Sequence, residues 1–354
     1  MKRFGVLLIT MCLFFSGCSL MDGEHLSVTP HELPVSVNQT PILSVSDYRE
    51  LKEVLESMVQ TGTESLVLSV AQYNQKLLDN GIKTAANYLK QNYPLGSWAV
   101  EDVKFEVGTN GGKSVVLVNI SYIHGRSQIR QVRTTSDMKE LERKVGEALE
   151  DCVDSLVLLV KEYEHKDLVQ MVEDYANVHP NLVMENPAVA VGIYPNEKAG
   201  TRVVELRFTY QTSRESLRQM QNQVQRVFSS AELYINSDST DMQKYAQLYT
   251  FLMERYDYSL GTSITPAYSL LIHGVGDSEA FASVYGAMCS QTGLECKVIS
   301  GTKNGEPWYW NLIQVDGSWL HVDLLEANTQ GGFVCHESEQ MEGYVWDYSA
   351  YRES

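Results

Sequence analysis

The chain has 354 residues, 44% of them hydrophobic and 10% aromatic, with a formal net charge of -17. That length and apolar fraction suffice for two or three domains with cores of their own. The acidic balance argues against nucleic acid and anionic lipid headgroups as partners, because both would repel it.

The first residues read as an export signal. Lys2 and Arg3 give a positive start, and Phe4 to Phe15 an apolar run too short for a permanent membrane span. Phe15-Ser16-Gly17-Cys18 then forms a small-residue cleavage site. The Ser-Gly-Cys ending resembles the lipobox of bacterial lipoproteins, in which the cysteine is lipidated and becomes the mature N-terminus. The resemblance implies a signal peptide over residues 1–17, a palmitate-type anchor on Cys18, and a protein held on the outer face of the bacterial cytoplasmic membrane, or on an outer membrane where the cell has one. An ordinary secretory signal cut nearby is the plainer alternative. Residues 18–45 carry Pro30, Pro34 and Pro41 among Ser, Thr, Asn and Gln, and read as a linker that gives the body reach. No later run is long and apolar enough to cross a bilayer.

Residues 46–133 and 134–236 look like two copies of one unit. Ser46-Asp47, Glu50-Leu51, Ser65-Leu66-Val67-Leu68, Val70 and Tyr73 recur at one offset as Ser136-Asp137, Glu140-Leu141, Ser155-Leu156-Val157-Leu158, Val160 and Tyr163. Val115-Val116, Tyr122, Arg126 and Arg130 recur at a slightly shorter offset as Val203-Val204, Tyr210, Arg214 and Arg218. Helical spacing over Asp47 to Met58 and Asp137 to Asp151, opened by Ser46 and Ser136, precedes β-rich Leu66 to Tyr73 and Leu156 to Tyr163. Helices over Lys76 to Gln91 and Lys166 to Asn177 close near Pro94 and Pro180, and a strand pair follows in each copy. The expected class is α+β: two tandem α-β-α-β-β units, either sharing one sheet or standing apart. Nothing catalytic recurs. The arginine pairs, four residues apart at a helix start, read as an anion site or as a solvated face, and the duplicated region as a spacer or interaction scaffold.

Cys152, Cys289, Cys296 and Cys335 match no zinc spacing, and no phosphate-loop, dinucleotide or H-E-x-x-H motif is present, so neither a metal nor a cofactor is expected. A bridge from Cys289 to Cys296 or Cys335, or buried free thiols, both fit.

In residues 237–354, Met242 to Tyr256 has an apolar helical stripe, and a second helix runs to Gln291. Strands follow over Glu295 to Gly301, Trp308 to Val315 and Ser318 to Leu324, the last two joined by Asp316-Gly317. Gly276-Asp277-Ser278-Glu279-Ala280-Phe281-Ala282, then Gly293 to Gly301, then Trp308-Tyr309-Trp310-Asn311, then Trp319-Leu320-His321-Val322-Asp323 stand in the order of a cysteine-nucleophile frame. With the tail Met341 to Asp347, this resembles the transglutaminase-like domain, a relative of papain-like cysteine proteases. The resemblance implies a helix-then-antiparallel-sheet fold, with Ser278 at the nucleophile position, Trp308 at the histidine position and Asp323 at the acid position.

The family chemistry needs a thiolate at a helix N-terminus, a histidine to take its proton and an aspartate to orient the ring. Only Asp323 matches. A serine hydroxyl is far harder to ionise, and an indole N–H donates but cannot accept a proton. The domain is therefore expected to be catalytically degenerate, with a cleft lined by Ser278, Trp308, Trp310, His321 and Asp323 for a peptide, protein or cell-wall ligand, unless Trp308 merely plugs the vacated site. One rescue competes with this reading. His321 and Asp323 lie on one strand face roughly 7 Å apart, so a Ser278-His321-Asp323 hydrolase or acyltransferase is open, with His273 also near the helix start. Against it, Ser278 before a helical run reads as an N-cap.

Overall fold

The computed structural model describes residues 43–196, 198–261 and 265–351. The expected signal peptide, Cys18 and residues 19–42 of the expected linker lie outside them.

The first sheet unit runs β1 (Leu43–Ser44), α1 (Tyr48–Thr61), β2 (Ser65–Ser69), α2 (Gln75–Gln91), α3 (Pro94–Ala99), β3 (Val100–Asn110), β4 (Lys113–Tyr122) and α4 (Arg126–Gln131). Its strand order is β1-β2-β4-β3, with β1 parallel to β2 and the other pairs antiparallel. The second runs β5 (Arg133–Asp137), α5 (Met138–Glu150), β6 (Ser155–Tyr163), α6 (Leu168–Val178), β7 (Ala188–Tyr194) and β8 (Gly200–Thr209), followed by α7 (Arg214–Tyr234). Its order, β5-β6-β8-β7, again puts the first strand parallel to its neighbour. The sheets are separate. Each gains a leading strand that periodicity does not announce, because two to five mostly polar residues on an edge carry no alternation to read.

Amphipathic spacing makes the cores. Leu51, Leu55, Met58 and Val59 form the buried stripe of α1 and pack with Val116, Val118 and Ile120, the inward positions of β4. Pro94 does not simply end α2; it opens α3 as an N-terminal residue, which a missing N–H permits. Trp98 of α3 joins Val203 in the same cluster, so the first unit packs on the second.

Ser46 and Ser136 are not the helix caps. Asp47 and Asp137 are, each carboxylate accepting from the backbone N–H of Glu50 or Glu140 at 2.9 Å. The serine N–H groups donate instead to the Glu50 and Glu140 carboxylates at 2.7 Å. Of the repeated arginines, Arg126 donates to the Thr61 carbonyl at 3.0 Å and Arg218 pairs with Asp151 at 2.6 Å, so two of the four serve the chain itself.

The remainder runs α8 (Asp241–Met253), β9 (Asp257–Tyr258), α9 (Pro266–Tyr268), a π-helical turn (Ser269–His273), β10 (Val275–Gly276), α10 (Ser278–Gln291), β11 (Cys296–Lys303), β12 (Glu306–Val315), β13 (Ser318–Val322), α11 (Leu324–Thr329), a 3-10 turn (Ser338–Gln340) and β14 (Tyr344–Trp346). An antiparallel sheet of order β13-β12-β11-β14 carries α10 on one face. Ile313 faces that helix and shares a core with Phe281, Val284 and Met288. By strand alternation Trp310 and Leu312 face the other way, where they pack with Ile299 and Met341. The α10 core also takes in Leu217, Val224 and Phe228 of α7, and Cys152 and Met184 of the second unit.

All four described cysteines are free thiols. Burial pushes the Cys289 thiol well up, and that of Cys335 to about 11, so neither is a ready nucleophile. No helix among the described residues is long and apolar enough to cross a membrane.

Candidate functional site

Helix α10 begins at a short extended stretch. Asp277 is its cap, with φ -90° and ψ -174° and a carboxylate that accepts from the Ala280 N–H at 3.0 Å. The expectation that Ser278 caps the helix is corrected: Ser278 is the first helical residue, because an acid beside it takes the cap. Its hydroxyl is free of that role and accepts from the Tyr309 N–H at 3.3 Å. Ser278, 7% exposed, thus sits against β12 one residue from Trp308.

Trp308 projects its indole onto Asp323, with Nε1 donating to Oδ2 at 2.8 Å. Two further groups reach the same oxygen, the Tyr344 hydroxyl at 2.6 Å and Lys303 Nζ at 3.0 Å. The other oxygen, Oδ1, accepts from the Leu325 and Glu326 N–H groups at 3.0 and 3.1 Å and so caps α11. Lys303 also binds Glu326 at 2.7 Å. Burial opposes the Lys303 charge, but its bonds to Glu326, Tyr344 and Asp323 prevail and hold the ammonium above its ordinary range. Burial first, then the bond to Asp323, pushes the Tyr344 hydroxyl up.

Chemically, the Trp308–Asp323 pair has the form of a base oriented by an acid, without a base. The indole nitrogen has no lone pair to offer, so nothing at this position takes a proton from Ser278. The carboxylate, 4% exposed and surrounded by five donors, is a structural hub.

The alternative triad is not assembled. His321 Nδ1 accepts from Trp310 Nε1 at 2.9 Å, and Nε2 lies 3.1 Å from the Ser338 hydroxyl. Since an indole only donates, the imidazole proton is on Nε2 and points at Ser338. His321 is 1% exposed and packs with Trp310 and Trp346, on the sheet face away from α10. His273 meets Tyr268 edge-on and makes no hydrogen bond to Ser278. The expected cleft lining is corrected in the same way: Ser278, Trp310, His321 and Asp323 are buried, and of the five residues only Trp308 is partly exposed.

Lys303, Glu326 and Tyr344, central to this network, were not expected from the sequence. They come from a strand end, a short helix and the tail, and no local pattern links them. Open space lies elsewhere along α10, as a cavity of about 550 Å³ beside Glu279 and Ser283, walled on its far side by the second unit.

Residues 230–324 match the family described as the transglutaminase-like superfamily. A crystal structure of a TGase is 11% identical with a TM-score of 0.29, over 64% of this chain and 69% of that one. A protein of Cytophaga hutchinsonii provisionally assigned as a cysteine protease is 11% identical with a TM-score of 0.27, over 45% and 70%. A Parabacteroides distasonis protein provisionally assigned as a protease is 10% identical with a TM-score of 0.23, over 73% and 39%. No curated protein matches the chain. The C-terminal part of this α+β protein is a transglutaminase-like domain.

Proposed function

We propose that the protein is an envelope-anchored lipoprotein whose transglutaminase-like domain no longer catalyses and serves as a binding or assembly module for a peptide, protein or cell-wall ligand. The observation that carries the reading is the Trp308 indole bonded to Asp323 where the family needs an imidazole. A hydroxyl without a base is a poor nucleophile at neutral pH, so Ser278 has no route to an acyl-enzyme. The leader and Cys18 support the anchor.

The test is an amine-incorporation, deamidation and peptide-hydrolysis panel on the mature chain, beside a serine-directed covalent probe. The expected result is no turnover above that of Ser278→Ala and no labelling. Turnover abolished by Ser278→Ala would overturn the reading. For the anchor, palmitate labelling in the host is expected to be lost on Cys18→Ala.

A further inference from the structure

The end of α10 and the start of β11 bring two thiols together. After Cys289 the chain reverses at Gly293, whose φ is +75°, and the Leu294 N–H donates back to the Cys289 carbonyl at 2.9 Å. Cys296 then opens β11 opposite Ile313, so its side chain takes the sheet face that carries α10. Its sulfur lies against that helix: a Cβ added at Gly286 would stand 3.9 Å from Cys296 Sγ. Asn311 Nδ2 donates to the same sulfur at 3.5 Å while holding the Ala282 carbonyl of α10 at 2.9 Å. Gly286 and Cys289 are nearly one helical turn apart and share a side of α10. The Cys289 and Cys296 thiols accordingly hydrogen-bond to each other.

A thiol is a weak donor and a weak acceptor, so such a pair holds its site loosely. Joining the sulfurs removes both S–H groups and leaves Asn311 an acceptor, so no polar group is stranded. The other two cysteines are placed differently. Cys335 makes no hydrogen bond to either thiol among the described residues, and Cys152 Sγ reaches the Glu150 carbonyl and the Gln221 amide.

We propose that Cys289 and Cys296 are a thiol–disulfide pair, oxidised as the chain folds to a bridge that fastens the last turn of α10 to the first residue of β11. The oxidant is a small-molecule or protein disulfide. The Cys296 thiolate attacks it, one half of the oxidant leaves as a thiol, and a mixed disulfide remains on Cys296. The Cys289 thiolate then attacks Cys296 Sγ and expels the other half. Two protein S–H bonds are lost and one S–S bond is gained, and the oxidant takes up both electrons and both protons as two thiols. Cys296 is half-buried and reachable, whereas Cys289 is fully buried, so the second attack precedes closure of the core. From a hydrogen-bonded pair, small side-chain rotations reach the roughly 2.0 Å of an S–S bond. The bridge depends neither on chemistry at Ser278 nor on where the protein resides.

The test is refolding of the mature chain from urea in a mixture of reduced and oxidised glutathione, then capping of free thiols with N-ethylmaleimide. Digestion with a glutamate-specific protease cuts after Glu295, between the two cysteines. Mass spectrometry is expected to find the peptides carrying Cys289 and Cys296 linked, and those carrying Cys152 and Cys335 capped. The urea midpoint of the oxidised chain is expected to exceed that of the same chain in dithiothreitol, by a shift that Cys296→Ala abolishes. Capped thiols at both positions, a link from Cys289 to Cys335, or an oxidised midpoint no higher than the reduced one overturns the proposal.

Discussion

Trp308 donates its indole hydrogen to Asp323 across 2.8 Å, occupying the carboxylate that would otherwise orient a catalytic ring. Restoring the chemistry therefore needs two changes together. Ser278→Cys alone places a thiol at the start of α10 with no partner. Ser278→Cys with Trp308→His gives that thiol an imidazole oriented by Asp323, which lowers its pKa. Alkylation by iodoacetamide at pH 7, followed by mass spectrometry at position 278, is expected to run about tenfold faster in the double variant. Equal rates would show that position 308 does not face the helix start.

Asp323 is expected to be the costliest single truncation in the domain. Asp323→Ala strands the Lys303 ammonium, the Trp308 and Tyr344 donors and the first turn of α11 at once. A loss of about 3 kcal/mol is expected, read as a lower midpoint in urea. Glu326→Gln, which removes a half-exposed partner of Lys303, is expected to cost about 1 kcal/mol or less.

His321 makes the domain acid-sensitive. Burial, with His336 nearby, holds its pKa down to about 4, against roughly 6.5 in an unfolded chain. Above pH 6.5 both states are neutral and stability is complete. Between pH 6.5 and 4 the unfolded chain takes up a proton that the folded one refuses, so stability falls, by up to about 3 kcal/mol. His321→Gln can still accept from Trp310 and donate to Ser338, so its urea midpoint should fall less over that window. Some slope is expected to remain, because burial also lowers His124 and His179.

Gly301 is a point of close approach. A Cβ there would stand 2.3 Å from the Val345 carbonyl oxygen and 2.8 Å from the Trp310 ring. Gly301→Ala is expected to cost about 1–3 kcal/mol and to loosen β14 from β11. Faster amide exchange at residues 344–346 than in the wild type is the readout. Unchanged exchange would mean that the sheet edge yields without releasing the tail.

The legible parts of this protein were those with a local signal. The stripe of α1, the β7 strand at Ala188–Tyr194 and the Asp316-Gly317 hairpin follow from spacing and turn chemistry. Caps went wrong by one residue at Ser46, Ser136 and Ser278 for a common reason. Each serine adjoins an aspartate, Asp47, Asp137 or Asp277, and a carboxylate is the stronger acceptor for helix N–H groups. Trp308 was readable as the wrong residue for a base, but not its bond to Asp323. The Lys303–Asp323–Tyr344 contact was hidden, since β14 pairs with β11 across some forty residues that carry no shared pattern. His321 misled because strand alternation fixes a face and not a partner, and Trp310 had already claimed its ring.

Helix α7 has a bearing on how this molecule can be taken apart. Leu217, Val224 and Phe228 sit in one core with Phe281 and Met288, so a cut at residue 236 exposes apolar surface on both sides. Dissection there is expected to give sticky fragments and to abolish a shared melting transition, whereas fragments that keep residues 134–351 together should remain cooperative.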